Sequence, residues 1–215
     1  MLLSSIRFGA TLAYSPRGSS ESSRRSAAFV RALKQNKVLR VGGADVTAAR
    51  YLARRMAERR DGLPFVQELS PDVLLVPMPR AGLRRKGALW PAFELATALL
   101  AQGFGAEVRE LVTRTIPLRK SATSSADERP TAQQHFDSMA VDAIVTDQPI
   151  VLVDDVVTRG ATLLGAASRL RAWSPRLEVF GFAAARTVSE GEVGEVFNPV
   201  SGSIELRQLQ TFRRP

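Results

Sequence analysis

Short apolar runs and longer amphipathic stretches alternate along much of the chain. Short apolar runs bounded by turn residues predict strands, whereas apolar positions at helical spacing predict helices. The pattern predicts strands at 72–79, 106–112, 149–155 and 177–185, and helices at 88–101 and 161–173. Strands that alternate with helices are typical of an α/β fold, so we expect a mainly parallel, twisted sheet flanked by helices.

The N-terminal part of the chain is less regular. It predicts a short strand or hairpin, then a polar loop at 14–26 (YSPRGSSESSRRS) and a helix near 26–35. A further helix is expected at 44–59, because Val46, Leu52 and Met56 follow helical spacing. A chain of 215 residues suits one such α/β core with appendages better than two complete domains.

The amino-acid composition indicates the cellular environment of the protein and the kind of partner that it binds. The sequence has no apolar run long enough to span a membrane, and it has no clear signal peptide. It also has no cysteine, so we expect a cytoplasmic protein without disulfides. Lys and Arg number 30 against 21 Asp and Glu, which gives a net charge of +9. This charge indicates an anionic partner, for which nucleic acid and a phosphorylated metabolite both qualify.

One segment, VLVDDVVTRGATL at 151–163, carries the clearest chemical signal. It places Asp154 and Asp155 where a buried strand ends, which is the edge at which open parallel sheets bind their ligands. Burying an unpaired carboxylate is costly, so a structural role for the pair is disfavoured. Two such carboxylates can accept hydrogen bonds from vicinal sugar hydroxyls or help to hold a divalent cation.

The turn after the acid pair predicts a phosphate site. The sequence TRGAT comes directly before a helix, whose first N–H groups and positive dipole end attract anions. Gly160 permits a tight path, and Thr158 and Thr162 add hydroxyl donors. Sugar-binding acids followed at once by a phosphate-binding turn describe a site for a ribose 5-phosphate group.

This segment resembles the signature of type I phosphoribosyltransferases, which reads as four hydrophobic residues, two acids, two hydrophobic residues, Thr-Thr-Gly and a further Thr. Here Ile150 takes the first position, and Arg159 replaces the second Thr of the triplet. The resemblance implies that the acid pair is catalytic and contacts the ribose hydroxyls of phosphoribosyl pyrophosphate (PRPP). It assigns the 5-phosphate to a set of turn residues, Thr158, Arg159, Gly160, Ala161 and Thr162.

The family also binds pyrophosphate at a turn after an earlier strand. Arg80, Ala81 and Gly82 stand at the matching place, and the order of VPMP, LRRKG and FELATAL is similar to that in competence-associated phosphoribosyltransferase-like proteins. A basic, solvated loop before a helix is the alternative interpretation of this stretch, which holds Arg84, Arg85 and Lys86.

A long polar stretch at 113–138 matches the position of the family's flexible loop, which closes over bound ligands. Arg114, Lys120 and Arg129 are its candidates for neutralising the charge of pyrophosphate, and ordinary surface charge is the alternative for each. His135, the sole histidine, could bind a ligand or protonate a leaving group, although a structural role is favoured for a lone histidine beside Phe136.

The resemblance implies a glycosyltransferase that moves the phosphoribosyl group of PRPP to a small-molecule acceptor, with Mg²⁺ as cofactor. Thr158 stands where the hypoxanthine-guanine branch has Asp, which counts against a 6-oxopurine acceptor. We expect a hood at 1–45, the transferase-type core at 46–185, and a tail at 186–215 that could extend the hood. The alternative is a non-catalytic PRPP sensor or nucleic-acid-associated protein on the same fold. By analogy with the family, a homodimer is also expected.

Overall fold

The architecture is described from a computed structural model, which covers residues 1–83, 85–118, 129–142 and 147–215. Its helices are α1 (Glu21–Lys34), α2 (Ala48–Ala57), α3 (Pro91–Leu100), α4 (Ala132–Asp137) and α5 (Ala161–Trp173). Its strands are β1 (Ser5–Tyr14), β2 (Val38–Val41), β3 (Ala44–Thr47), β4 (Leu74–Pro77), β5 (Glu107–Val108), β6 (Val112–Arg114), β7 (Met139–Val141), β8 (Ile150–Val157), β9 (Val179–Thr187), β10 (Phe197–Arg207) and β11 (Gln210–Arg214).

Seven of these strands form the central sheet, in the order β11-β10-β1-β9-β8-β4-β5. The neighbouring pairs β1–β9, β9–β8, β8–β4 and β4–β5 are parallel. β10 pairs antiparallel with both β1 and β11. Two small antiparallel pairs, β2 with β3 and β6 with β7, lie outside this sheet. The chain therefore has the mainly parallel α/β sheet that the sequence predicts.

The middle of the sheet is covered by helices on both faces. All four residues of β4 and the first four of β8 are buried, which explains why these strands are continuous apolar runs. Side chains of α1, α2 and α3 pack into one core cluster, and those of α5 and α4 pack into the other. β4 ends at Pro77, which pairs with Val153, so β8 continues past the end of β4 and carries the acid pair there.

Most predicted elements between 72 and 187 are confirmed, and the helix predicted at 161–173 coincides with α5. The prediction of a helix over 44–59 is wrong at its start, because residues 44–47 form β3, which pairs with β2 across a Gly42-Gly43 turn. Thr47 then caps α2 by accepting a hydrogen bond from the Arg50 N–H at 3.4 Å.

The strand predicted at 106–112 is also divided. Only Glu107 and Val108 pair with β4, whereas the chain from Val112 pairs with β7 away from the central sheet. In the described ranges, no helix has the length and apolar character needed to cross a membrane.

Both predicted appendages contribute strands to the central sheet. β1 lies between β9 and β10, so the chain's first strand is an inner strand, and β10 and β11 extend the sheet beyond it. β1, β10 and β11 thus share one sheet with strands of the predicted core, whereas β2 does not. The assignment of these segments to an acceptor-binding hood stays a prediction.

Candidate functional site

The acid pair lies in the last half of β8, with both side chains half-buried. Met78, just after β4, donates its N–H to the Val153 carbonyl at 2.8 Å, so the end of β4 reaches the same edge of the sheet. The Asp155 N–H donates to Asp154 Oδ1 at 2.8 Å, and the Val156 N–H donates to Asp155 Oδ1 at 2.9 Å. These bonds fix both carboxylates at the edge where the sequence predicts a ligand.

The two carboxylates have different electrostatic surroundings. Burial raises the pKa of Asp154 well above its usual range, and the neighbouring Asp155 carboxylate raises it further. Lys34, the last residue of α1, places its Nζ 2.8 Å from Asp155 Oδ2. Burial alone would lower the pKa of Lys34, but the neighbouring acidic groups, chiefly Asp155 and then Asp154, together outweigh that effect and raise it. Asp155 is therefore paired with a cation, whereas ionising Asp154 is unfavourable.

The turn after β8 is built around a left-handed glycine. Gly160 is the N-cap residue of α5 and has a φ of +86°. Because it has no side chain, it cannot cap the helix by a side-chain hydrogen bond. A Cβ at this position would lie 2.5 Å from the side chain of Ile204 in β10, so both backbone and packing require glycine. The first turn of α5 consequently has N–H groups without a capping side chain, which suits an anion.

A cavity of about 280 Å³ brings these elements together. Its walls come from Asp154, the turn at 158–162, the segment before α4, and the turn between β10 and β11. The lining residues that carry the argument are Arg129, Asp154, Thr158, Arg159, Gly160 and Thr162. The structure thus places one member of the acid pair and the predicted phosphate turn around a single cavity.

The predicted pyrophosphate turn follows β4 at the same edge of the sheet. Arg80 is exposed and donates from Nη1 to the Leu89 carbonyl at 3.0 Å. The Leu118 N–H donates to the Ala81 carbonyl at 2.9 Å, and the space around the Gly82 Cα is open. Arg80, Ala81 and Gly82 are not among the described residues that line the cavity, so their role in binding pyrophosphate stays a prediction.

The three basic candidates of the polar stretch lie in different places. Arg114 is buried in β6, not in a loop, where its Nε donates to the Arg80 carbonyl at 3.1 Å. Burial lowers its pKa to about 10, although Asp154 opposes this, and the group stays charged at neutral pH. Arg129 lines the cavity, and its buried Nε has no hydrogen-bond partner among the residues that the structure describes. Lys120 lies outside the described residues, as does Arg84.

Two groups at the site are not apparent from local sequence. One is Lys34, which lies far from Asp155 along the chain. The other is the C-terminal hairpin, from which Arg213 donates to the carbonyls of Thr158 at 3.0 Å and Thr187 at 2.5 Å. The sequence around Lys34 and Arg213 has no feature that indicates these contacts, because Lys34 only ends a helix and Arg213 is one of several basic residues in the tail.

Comparisons with known proteins identify two phosphoribosyltransferases of solved structure. No family model matches the chain, and no curated protein matches it. A purine phosphoribosyltransferase from Pyrococcus horikoshii aligns with 17% identity over 66% of this chain and 81% of its own, at a TM-score of 0.30. An adenine phosphoribosyltransferase from Leishmania tarentolae aligns with 14% identity over 82% of this chain and 95% of its own, at a TM-score of 0.35. The chain is similar to these proteins, and its fold class rests on its own strand order.

Proposed function

We propose that the protein binds PRPP and transfers its 5-phosphoribosyl group to a nitrogenous acceptor, with release of pyrophosphate. The observation that carries this proposal is the shared cavity of Asp154 and the uncapped first turn of α5. A sugar phosphate has hydroxyls and a phosphate at opposite ends, and the cavity offers carboxylate and anion-binding groups in the same arrangement. A smaller metabolite without the phosphate would leave the turn unused.

Binding would divide between the two parts of this cavity. Asp154 and Asp155 accept hydrogen bonds from the ribose 2- and 3-hydroxyls, since ionised carboxylates only accept. The 5-phosphate occupies the first turn of α5, where backbone N–H groups and the hydroxyls of Thr158 and Thr162 donate to it. Arg129 adds positive charge at the cavity wall.

The transfer replaces one bond at the anomeric carbon of PRPP. The carbon–oxygen bond to pyrophosphate breaks with its electron pair going to the leaving oxygen, and a bond from the acceptor nitrogen forms. Positive charge develops on the ribose ring as the leaving group departs. The carboxylate of Asp154 stabilises that charge because it lines the cavity in a poorly solvated position, and Asp155 next to it in β8 adds negative charge.

The donor set fits a Mg²⁺ ion that arrives with PRPP. Among the described residues, no group of three or more His, Cys, Asp or Glu side chains could hold a metal by itself. Mg²⁺ commonly takes one or two carboxylates and completes its shell with substrate oxygens and water. Asp154 and Asp155 would supply that protein part, and the bound ion would neutralise charge on the departing pyrophosphate.

The alternative function, a non-catalytic sensor, would also bind PRPP but would not transfer its phosphoribosyl group. The net charge of +9 is the observation that favours a nucleic-acid partner. Binding of that kind weakens steeply as salt increases, because phosphate contacts release counterions. The nucleic-acid partner and the homodimer both stay predictions.

Calorimetric titration of PRPP with Mg²⁺ tests the proposal directly. The wild type is compared with the Asp154→Asn/Asp155→Asn variant and with Asp72→Asn, a matched control at an exposed carboxylate before β4. Pyrophosphate release is followed in the same samples with a pool of bases and amines. We expect binding and release in the wild type and the control, and loss of both in the double variant.

Each other outcome has a distinct meaning. Binding that the double variant loses, without release from any acceptor, supports the sensor alternative. A folded wild type that does not bind PRPP contradicts both functions. Binding that survives in the double variant shows that the acid pair does not contact the sugar.

A further inference from the structure

A series of hydrogen bonds connects the predicted phosphate turn to the predicted pyrophosphate turn. His135 in α4 is only 4% exposed, and it places Nε2 3.2 Å from Thr162 Oγ1 and Nδ1 3.4 Å from Arg114 Nη2. Arg114 in turn donates from Nε to the Arg80 carbonyl at 3.1 Å. His135 is therefore the central member of a path that joins the start of α5 to the turn after β4.

The partners of His135 determine which of its nitrogens carries the proton. A guanidinium can only donate, so Arg114 requires Nδ1 to be the acceptor. The proton of a neutral imidazole then lies on Nε2, which donates to Thr162 Oγ1. Because the Thr162 oxygen accepts this bond, its own hydrogen is available to another acceptor.

Close packing holds His135 against α5. A Cβ at Gly165 would lie 2.7 Å from both the Ala132 carbonyl oxygen and the His135 Cβ, so α4 and α5 approach at a position where only glycine fits. Thr131 and Gln134 form a capping box that fixes the start of α4. His135 thus has little freedom to turn away from Thr162.

We propose that His135 is a positioning residue, which holds the Thr162 hydroxyl as a hydrogen-bond donor to the phosphate of the bound sugar. The cavity supports this direction, because Thr162 lines it beside Gly160 and Ala161. Through Arg114 the same imidazole is linked to the turn after β4, so one side chain orients groups at both predicted anion sites. This inference rests on the proposed function and adds a residue to the 5-phosphate site.

The charge state of His135 agrees with this geometry. Burial, together with the nearby Arg114 guanidinium, lowers its pKa to about 3. The imidazole is therefore neutral at neutral pH and holds one proton, as a single donor to Thr162 requires.

Nitrogen NMR tests the proton position without any assay of turnover. The sequence contains one histidine, so the imidazole nitrogen signals of an untagged protein belong to His135. We expect the neutral tautomer with its proton on Nε2, and we expect the Nε2 signal to shift when ribose 5-phosphate is added. The proton on Nδ1, or an unchanged signal at saturating ribose 5-phosphate, would overturn the proposal.

A double-mutant cycle then tests whether His135 acts through Thr162. His135→Leu and Thr162→Val should each weaken the binding of ribose 5-phosphate by about ten-fold or more, the value of one hydrogen bond to a charged group. The two losses should not multiply in the combined variant, because they remove the same interaction. Thr158→Val is the matched control, since Thr158 contacts Thr187 at 3.2 Å instead, and its loss should multiply with that of His135→Leu.

His135→Gln keeps the test decisive if His135→Leu fails to fold. Its amide retains an N–H near the Nε2 position, so we expect affinity within about two-fold of the wild type. Losses that multiply for His135 and Thr162, or a His135→Gln variant as weak as Thr162→Val, would overturn the positioning role alone. A wild type that binds neither ribose 5-phosphate nor PRPP would overturn the proposed function, and this role with it.

Discussion

Lys34 is the only described residue whose side chain forms an ion pair with the acid pair. Its positive charge also lowers the pKa of Asp154 against the effects of burial and of Asp155. Binding of PRPP with Mg²⁺ requires an ionised Asp154, so affinity should increase as pH rises through the pKa of this group. In Lys34→Met that increase should move to higher pH by about half a unit or more. Calorimetric titration across a pH series measures the shift.

Lys37→Met is the control for this pH profile. Lys37 is an exposed lysine three residues further along, so its removal changes the net charge equally but leaves the carboxylates paired. A profile that moves as much in Lys37→Met as in Lys34→Met would assign the effect to overall charge.

His135 should make the folded state sensitive to acid. Its pKa lies near 3 in the folded protein against 6.5 for an ordinary histidine, so the unfolded state binds a proton that the folded state does not. The free energy of unfolding therefore decreases as pH falls from about 6.5 towards 3. In His135→Gln this contribution is absent, and we expect a shallower loss of stability with acid. Urea unfolding at several pH values measures the slope, and equal slopes in both proteins would contradict the shift.

The turn before α5 depends on a residue without a side chain. Gly160→Ala would place a non-glycine residue at φ of +86° and a Cβ 2.5 Å from Ile204. We expect a loss of about 1–3 kcal/mol in the free energy of unfolding, together with weaker binding of ribose 5-phosphate. Gly194→Ala is the control, because a Cβ there meets no atom within 4 Å. In an Ile204→Ala background, Gly160→Ala should cost less, by the part of the loss that comes from the clash, because the side chain that it meets has been removed.

The C-terminal hairpin supports the phosphate turn through one arginine. Arg213 bonds to the carbonyls of Thr158 and Thr187, whereas its neighbour Arg214 forms an exposed ion pair with Glu205 at 3.3 Å. In Arg213→Met we expect hydrogen exchange of the amides at 158–162 to accelerate by about ten-fold. Arg214→Met should leave exchange there unchanged. Equal exchange in both variants would show that the turn is stable without the hairpin.

The molecule as a whole should be more stable without the charge of Asp154. Its pKa is raised in the folded state, so the folded protein is destabilised wherever the group is ionised in the unfolded chain, which includes neutral pH. Asp154→Asn should therefore raise the melting temperature at pH 7, by about 2–4 °C for each kcal/mol. The same variant should lose affinity for PRPP. A lower melting temperature at pH 7 would contradict the raised pKa.

Local patterns predicted the elements around the site better than those at the ends of the chain. The helix at 161–173 and the strand that carries the acid pair were found because apolar periodicity and turn residues agree there. The β2–β3 hairpin was missed because Val46 continues the helical spacing of α2 into a segment that pairs as a strand. The early end of β5 was also missed, since the apolar residues from 111 onward pack elsewhere.

The sequence by itself determined the α/β class, the strand that carries the acid pair, and the glycine turn from that strand into α5, because all three depend on residues close together along the chain. Only the tertiary structure decided that β1 is an inner strand, that Lys34 pairs with Asp155, and that His135 links Arg114 to Thr162. Contacts of this kind join segments far apart in sequence. Their partners are set by how helices and strands pack, and short-range periodicity carries no information about that packing.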